Sequence, residues 1–263
     1  MKIVLLFLVF IVLGIFPLLS VAAVEVIGNL VDKHTGISGD TYTGTIKIYN
    51  SADTDQEVKV YASDYSFNYK GNSFYDEAGS NSRSNAYWIQ FSPKFTVLKA
   101  KETQYIQYEV KIPMNDSLTG TYWSVLMIEG AKPINTDKKG QLNISSSTRF
   151  AFQVVTNIAN TGIGDLHYMQ PTVITEMDKT YLDVVLENTG ERLISPLVTA
   201  EFFNEEGTSV RVLQAPKNGM YPTTSASFRF NLEGIETKKT YQVVIVADGG
   251  NDDVFGLELP LKL

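Results

Sequence analysis

Bulky apolar residues alternate with small or polar residues over many short stretches of this chain, and almost no helical period appears after residue 23. The clearest stretch, residues 120–129, reads GTYWSVLMIE and alternates on both sides of Trp123. A period of two places successive side chains on opposite faces of a strand. Frequent Tyr, Phe, Val, Ile and Thr favour the same geometry. The sequence therefore predicts an all-β protein.

The predicted strands follow one another at short spacing and are separated by turns rich in Gly, Asn and Asp. This pattern is typical of β-sandwiches, and about seven strands in each half match an immunoglobulin-like unit. We predict two immunoglobulin-like β-sandwich domains in tandem, at residues 24–157 and 165–263, with a small-residue linker at residues 158–164. The predicted strands are residues 24–31, 42–49, 57–63, 88–91, 104–112, 120–129 and 149–157, then 168–174, 180–186, 197–203, 210–213, 225–231, 240–247 and 255–261.

The first 23 residues have the composition of a secretory signal peptide. Lys2 precedes an apolar run over residues 3–19, and the segment ends in the small pair Ala22-Ala23. Cleavage after Ala22 or Ala23 would release an exported protein with no stable membrane anchor. An uncleaved anchor is the alternative, because the run is nearly long enough to span a bilayer. We expect a periplasmic location, or otherwise a secreted or cell-surface one.

Composition and motif content argue against several classes of function. The net charge of -7 argues against nucleic acid as a partner, because phosphate binding needs a positive surface. There is no cysteine, and the two histidines, His34 and His167, are far apart and lack zinc-ligand spacing. Neither a nucleophile elbow nor a phosphate-binding glycine loop is present. We predict a non-enzyme that needs no cofactor and no metal.

Three segments of the first half resemble one known family. Residues 91–98 (FSPKFTVL), the predicted strand 104–112 with Pro113, and the predicted strand 120–129 are similar to the first domain of periplasmic pilus-assembly chaperones. The resemblance implies two immunoglobulin-like domains arranged as a boomerang. It also implies that the protein binds pilus subunits that lack their last strand, by lending them the seventh strand of its first domain.

The resemblance assigns roles to five residues of that seventh strand. Leu142 and Ile144 stand at the alternating positions that would fill the groove of the subunit, and Ser146 stands at the third such position. Thr148-Arg149 matches the basic pair of the family, so Arg149 would anchor the terminal carboxylate of the subunit.

The sequence also departs from the family pattern at several positions. Ser146 replaces a large apolar residue, and Val155-Thr156-Asn157 replaces the Tyr-Arg-Pro that usually ends the seventh strand. The second cationic anchor of the family, an Arg on the first strand, has no match, since Lys33 is nearby but in a different setting.

Strand donation needs a free edge and alternating side chains, and an ordinary edge strand would show the same short alternation. We predict an exported chaperone-like protein that binds a pilin-like subunit by edge-strand pairing. The chief alternative is an immunoglobulin-like module of the cell envelope or surface that recognises a polymer or protein without lending a strand. A third is a secreted subunit that itself receives a strand.

Trp123, Tyr122 and Trp88 are predicted to pack in cores or interfaces.

Overall fold

The computed structural model describes residues 24–131, 148–250 and 252–263. These residues form strands and one short 3-10 turn, Ala86–Trp88. No helix in this part of the chain is long and apolar enough to cross a membrane. The predicted fold class, two β-sandwiches in tandem, is confirmed. The predicted signal peptide and three predicted site residues, Leu142, Ile144 and Ser146, lie outside the described residues.

The first sandwich consists of two sheets that pack face to face. One sheet has the strand order β1-β3-β8-β6, and the other has the order β2-β10-β9-β4-β5 with β7 also paired to β4. Ile46 and Ile106 from the first sheet pack against Leu126, Ile128 and Val154 from the second. The strands are β1 Val24–Ile27, β2 Val31–Gly36, β3 Thr41–Asn50, β4 Gln56–Phe67, β5 Ser73–Glu77, β6 Ile89–Ser92, β7 Phe95–Leu98, β8 Thr103–Lys111, β9 Gly120–Ala131 and β10 Arg149–Ile158.

The prediction of a single strand over residues 24–31 is wrong. Gly28 adopts a φ of 109°, a conformation that side chains with a Cβ rarely take, and it ends β1. The chain then crosses from one sheet to the other. β1 pairs antiparallel with β3, whereas β2 pairs in parallel with β10. One apparent strand therefore contributes an edge to each sheet of the first sandwich.

The second sandwich is also made of two sheets. In one, β13 pairs with β11, β12 and β16, and the other has the order β15-β14-β17-β18. Phe202, Phe228 and Phe230 are fully buried between the two sheets. The strands are β11 Leu166–Tyr168, β12 Thr172–Glu176, β13 Lys179–Asn188, β14 Leu197–Phe203, β15 Ser209–Gln214, β16 Ser225–Asn231, β17 Thr240–Asp248 and β18 Val254–Lys262.

An aromatic stack joins the two sandwiches. Trp123 of β9 is buried and stacks on Tyr221 with ring centroids 4.7 Å apart, which confirms its predicted packing role. The indole Nε1 donates to the carbonyl of Tyr65 at 2.7 Å. The Tyr221 hydroxyl donates to Oε1 of Gln153 at 2.5 Å, and burial raises the pKa of Tyr221. Tyr221 therefore remains a hydrogen-bond donor across the junction at every physiological pH.

Polar contacts fix the same junction from the other side. The Arg83 guanidinium lies 2.9 Å from the Glu191 carboxylate, and the Thr121 amide donates to the Glu191 carbonyl at 2.8 Å. Gly120 allows this approach, because a Cβ there would lie 2.2 Å from that carbonyl oxygen. The two sandwiches thus meet through apolar, hydrogen-bonded and ionic contacts.

Burial of Tyr42 should make the first sandwich sensitive to alkali. Burial raises the pKa of Tyr42 to about 12, although its hydroxyl also shares a 2.8 Å hydrogen bond with Thr156. The pKa of tyrosine is about 10 in the unfolded chain. The buried, neutral Tyr42 therefore contributes its full stabilisation of the folded state below pH 10, and this contribution is lost as the pH rises through 12. We expect Tyr42→Phe to lessen the alkaline loss by roughly 2 kcal/mol, measured by urea unfolding between pH 8 and 12. Tyr105→Phe, at an exposed tyrosine, should follow the unmodified protein.

Candidate functional site

One edge of β10 is only partly covered by the strands that the structure describes. β9 pairs with β10 over its whole length, from Arg149 to Ile158, whereas β2 pairs only with the segment from Gln153 to Ile158. Along residues 149–152 no strand in the described part of the chain pairs with the other edge. A row of unpaired backbone groups on a sheet edge is a template for a strand of another chain.

The register shows which backbone groups face this edge. The Gln153 amide donates to the Leu30 carbonyl at 2.7 Å, so odd-numbered residues of β10 direct their backbone groups toward β2 and away from β9. The Thr148 carbonyl accepts from the Gly130 amide at 3.2 Å, which places the even-numbered residues on the β9 side. Ala151 and Arg149 therefore present their N–H and C=O groups at the uncovered edge.

A cleft of about 520 Å³ opens between the two sandwiches, where β2 begins to cover β10. Lys33 of β2 and Gln153 of β10 line one side, while Tyr65 and Phe67 of β4 and Tyr221 of the second sandwich line another. Lys33 is the only residue with a charged side chain among the described residues that line the cleft. Its ammonium forms no ion pair with another described residue and is exposed. The cleft therefore favours an anionic group.

Arg149 lies elsewhere, at the exposed start of β10. A hydrogen bond with Tyr61 and the nearby Glu129 carboxylate raise the pKa of its guanidinium. The Tyr61 hydroxyl also donates to Oε2 of Glu129 at 3.2 Å. Arg149 therefore already lies beside a carboxylate and a hydroxyl of its own sandwich, and an incoming carboxylate would have to compete with both.

The structure does not bring Arg149 into the cleft. Lys33 lies opposite Val155, six positions along β10 from Arg149, which is roughly 20 Å at the rise of a strand. Thr148, the neighbour of Arg149, is exposed. The sequence alone does not place Lys33 at the cleft, because its position depends on the parallel pairing of two distant segments. Gly28 was the residue in the sequence that could have indicated a strand break, and this break separates β2, which carries Lys33, from β1.

The chemistry of the site suits recognition of a ligand. The cleft combines one amine, aromatic rings and amide or hydroxyl side chains such as Gln153, Asn218 and Ser225. Within residues 24–131, 148–250 and 252–263, no group of three or more His, Asp and Glu side chains is placed to hold a metal ion. An edge that offers backbone groups and a cleft that offers a cation together fit an extended peptide with an anionic end.

Neither a protein-family model nor a curated protein matches the sequence. Solved structures do match. A chain from a chaperone–tip adhesin complex of CFA/I fimbriae biogenesis is 12% identical, with a TM-score of 0.48, and the match covers 92% of this chain and 99% of that one. The class 5 fimbriae chaperone CfaA is 11% identical, with a TM-score of 0.46 and 91% and 99% coverage. A chain from the Salmonella enterica SafA pilin–SafB chaperone complex is 12% identical, with a TM-score of 0.44 and 91% and 98% coverage.

Proposed function

We propose that this protein is an exported, non-enzymatic, chaperone-like protein that captures a pilus- or fimbria-like subunit by edge-strand pairing on its first sandwich. The observation that carries the proposal is the partial cover of β10, since β2 pairs with its second half and no described strand pairs with residues 149–152 on that edge. A partner strand would continue the line of β2 and extend the sheet by one strand.

The cleft gives the partner strand a direction. β2 occupies the edge from Gln153 onward, so an added strand has to end or leave the sheet at that point. A strand parallel to β10 would bring its C-terminus to the cleft, and an antiparallel strand would bring its N-terminus. Lys33 is a cation, so it favours a carboxylate. The proposed partner strand is therefore parallel to β10 and ends at Lys33.

The resemblance of the sequence to pilus-assembly chaperones supplies the kind of partner. It also supplies the groove-filling role of Leu142 and Ile144, which precede the open edge in the chain, and the less apolar position of Ser146. The periplasmic location rests on the same resemblance together with the predicted signal peptide.

Co-purification separates this function from the alternatives. A chaperone should leave the periplasm in a one-to-one complex with a subunit that is unstable without it. Sedimentation with the cell envelope, or digestion by external protease in intact cells, would instead identify a surface binding module and contradict the proposal.

Ala151→Pro should weaken subunit capture while leaving the fold intact. The Ala151 amide faces the open edge and makes no bond to β9, so proline removes a donor only from the proposed interface. We expect the fraction of protein recovered with its partner to fall about tenfold, since a lost hydrogen bond and a ring at the interface cost about 1.5 kcal/mol. Ala151→Val keeps the amide and is the matched control. Equal recovery with both variants would contradict edge pairing.

A further inference from the structure

The hairpin of β4 and β5 reaches from the first sandwich to the second. At its tip the Asn68 amide donates to the Asn72 carbonyl at 3.1 Å, and the Gly71 amide donates to the Asn68 carbonyl at 3.0 Å. The Tyr69 amide then donates to Oγ of Ser225 in the second sandwich at 3.1 Å. The hairpin tip therefore forms a wall of the cleft that is tied to both sandwiches.

Aromatic rings line the cleft beside this wall. The ring centroids of Tyr65 and Phe67 lie 5.8 Å apart, and each lies within 6.4 Å of the Tyr221 ring. Tyr65 and Phe67 are half-buried and pack with the small cluster at the junction, outside the main core of the first sandwich. The surface of these two rings that remains exposed faces the cleft. An apolar side chain of a ligand bound in the cleft would bury that surface.

The volume of the cleft exceeds what a carboxylate alone requires. Pockets of about 300–1,000 Å³ hold whole organic ligands, and this cleft measures about 520 Å³. Lys33, Gln153 and Tyr65 all line the cleft, so their side chains lie on the same face of the sheet. A partner residue whose carboxylate reaches Lys33 can therefore direct its side chain across Gln153 toward the aromatic rings.

We propose that the cleft selects the last residue of the partner strand and prefers an aromatic side chain there. This inference rests on the proposed function and adds a side-chain preference to the capture of a chain end. Lys33 holds the terminal carboxylate, and Phe67 with Tyr65 packs against the terminal ring. The hairpin wall at Tyr69 limits how far the end of the partner can extend beyond the rings.

Synthetic peptides test this preference directly. Three ten-residue peptides of alternating Val and Thr are compared by calorimetry with the full chain: one ends in Phe, one ends in Ala, and one ends in amidated Phe. We expect the free-acid Phe peptide to bind about tenfold more tightly than the Ala peptide, and amidation to weaken binding by a similar factor. Phe67→Ala should reduce the Phe-to-Ala ratio to about one. Phe74→Ala changes an exposed phenylalanine of the same hairpin outside the cleft and should leave the ratio unchanged.

The outcomes distinguish this inference from the function on which it rests. If amidation weakens binding but the Phe and Ala peptides bind equally, the side-chain preference is wrong and end capture stands. If Phe67→Ala leaves the Phe-ended peptide binding tenfold more tightly than the Ala-ended one, the aromatic rings of the cleft do not cause the preference and the inference is wrong. If no peptide binds the full chain, both the preference and the proposed function are overturned.

Discussion

Asn85→Ala should lower the free energy of unfolding by about 3–5 kcal/mol, more than any other single polar substitution proposed for the first sandwich. Asn85 is fully buried beside the 3-10 turn. Its Nδ2 donates to the Val154 carbonyl at 3.1 Å and to Oγ1 of Thr156 at 3.0 Å, and its Oδ1 accepts from Oγ of Ser124 at 2.6 Å. Alanine removes these bonds, leaves the buried Ser124 hydroxyl without this acceptor and opens a void, and a buried unsatisfied group alone costs about 1–3 kcal/mol. Thr156 keeps its hydrogen bond with Tyr42.

Urea unfolding followed by tryptophan fluorescence measures this loss. Asn29→Ala, at an exposed asparagine of the same sandwich, is the matched control and should change the free energy of unfolding by less than about 0.5 kcal/mol. The loop that ends at Asn85 also carries Arg83, which bridges to Glu191 of the second sandwich. Asn85→Ala should therefore also weaken the junction, seen as earlier proteolysis between the sandwiches. A change below about 1 kcal/mol would show that the network around Asn85 does not hold this loop.

Strands with one buried face were predictable from the sequence. The predicted strands at residues 197–203 and 225–231 have the bounds of β14 and β16, because buried and less buried side chains alternate along both. β5 was missed, since all five of its residues are exposed and no alternation marks it. Burial of one face gives a strand the period of two that a local pattern can detect, and β5 lacks it.

The proposed site depends on pairing that no local pattern encodes. Lys33 enters the cleft because β2 pairs in parallel with β10, a segment more than one hundred positions later in the chain. The same pairing determines where the edge of β10 stays open, and hence where a partner strand would end. The sequence therefore predicted the strand on which the proposed function rests, whereas the position of Lys33 near the proposed end of the partner strand required the register.

Lys33→Gln should weaken binding of the Phe-ended peptide about tenfold, as much as amidation of the peptide does. A hydrogen bond to a charged group is worth about 1.5–3 kcal/mol, and a tenfold change corresponds to about 1.4 kcal/mol. Lys33→Arg keeps the charge and should bind within a few-fold of the unmodified protein. Calorimetry with the free-acid and amidated peptides provides the readout, because Lys33→Gln should bind both peptides equally.

Arg149→Gln separates the two assignments of the carboxylate contact. The sequence resemblance gives that contact to Arg149, whereas the structure places Arg149 beside Glu129 and Tyr61 and roughly 20 Å along the strand from Lys33. We expect Arg149→Gln to weaken the peptide less than about fivefold and to preserve the effect of amidation. Because the two cations are too far apart to share one carboxylate, the effects of the two substitutions should add in the double variant. A larger loss of peptide affinity with Arg149→Gln than with Lys33→Gln would contradict this assignment. It would show that Arg149 binds the terminal carboxylate and that the partner strand ends at the start of β10.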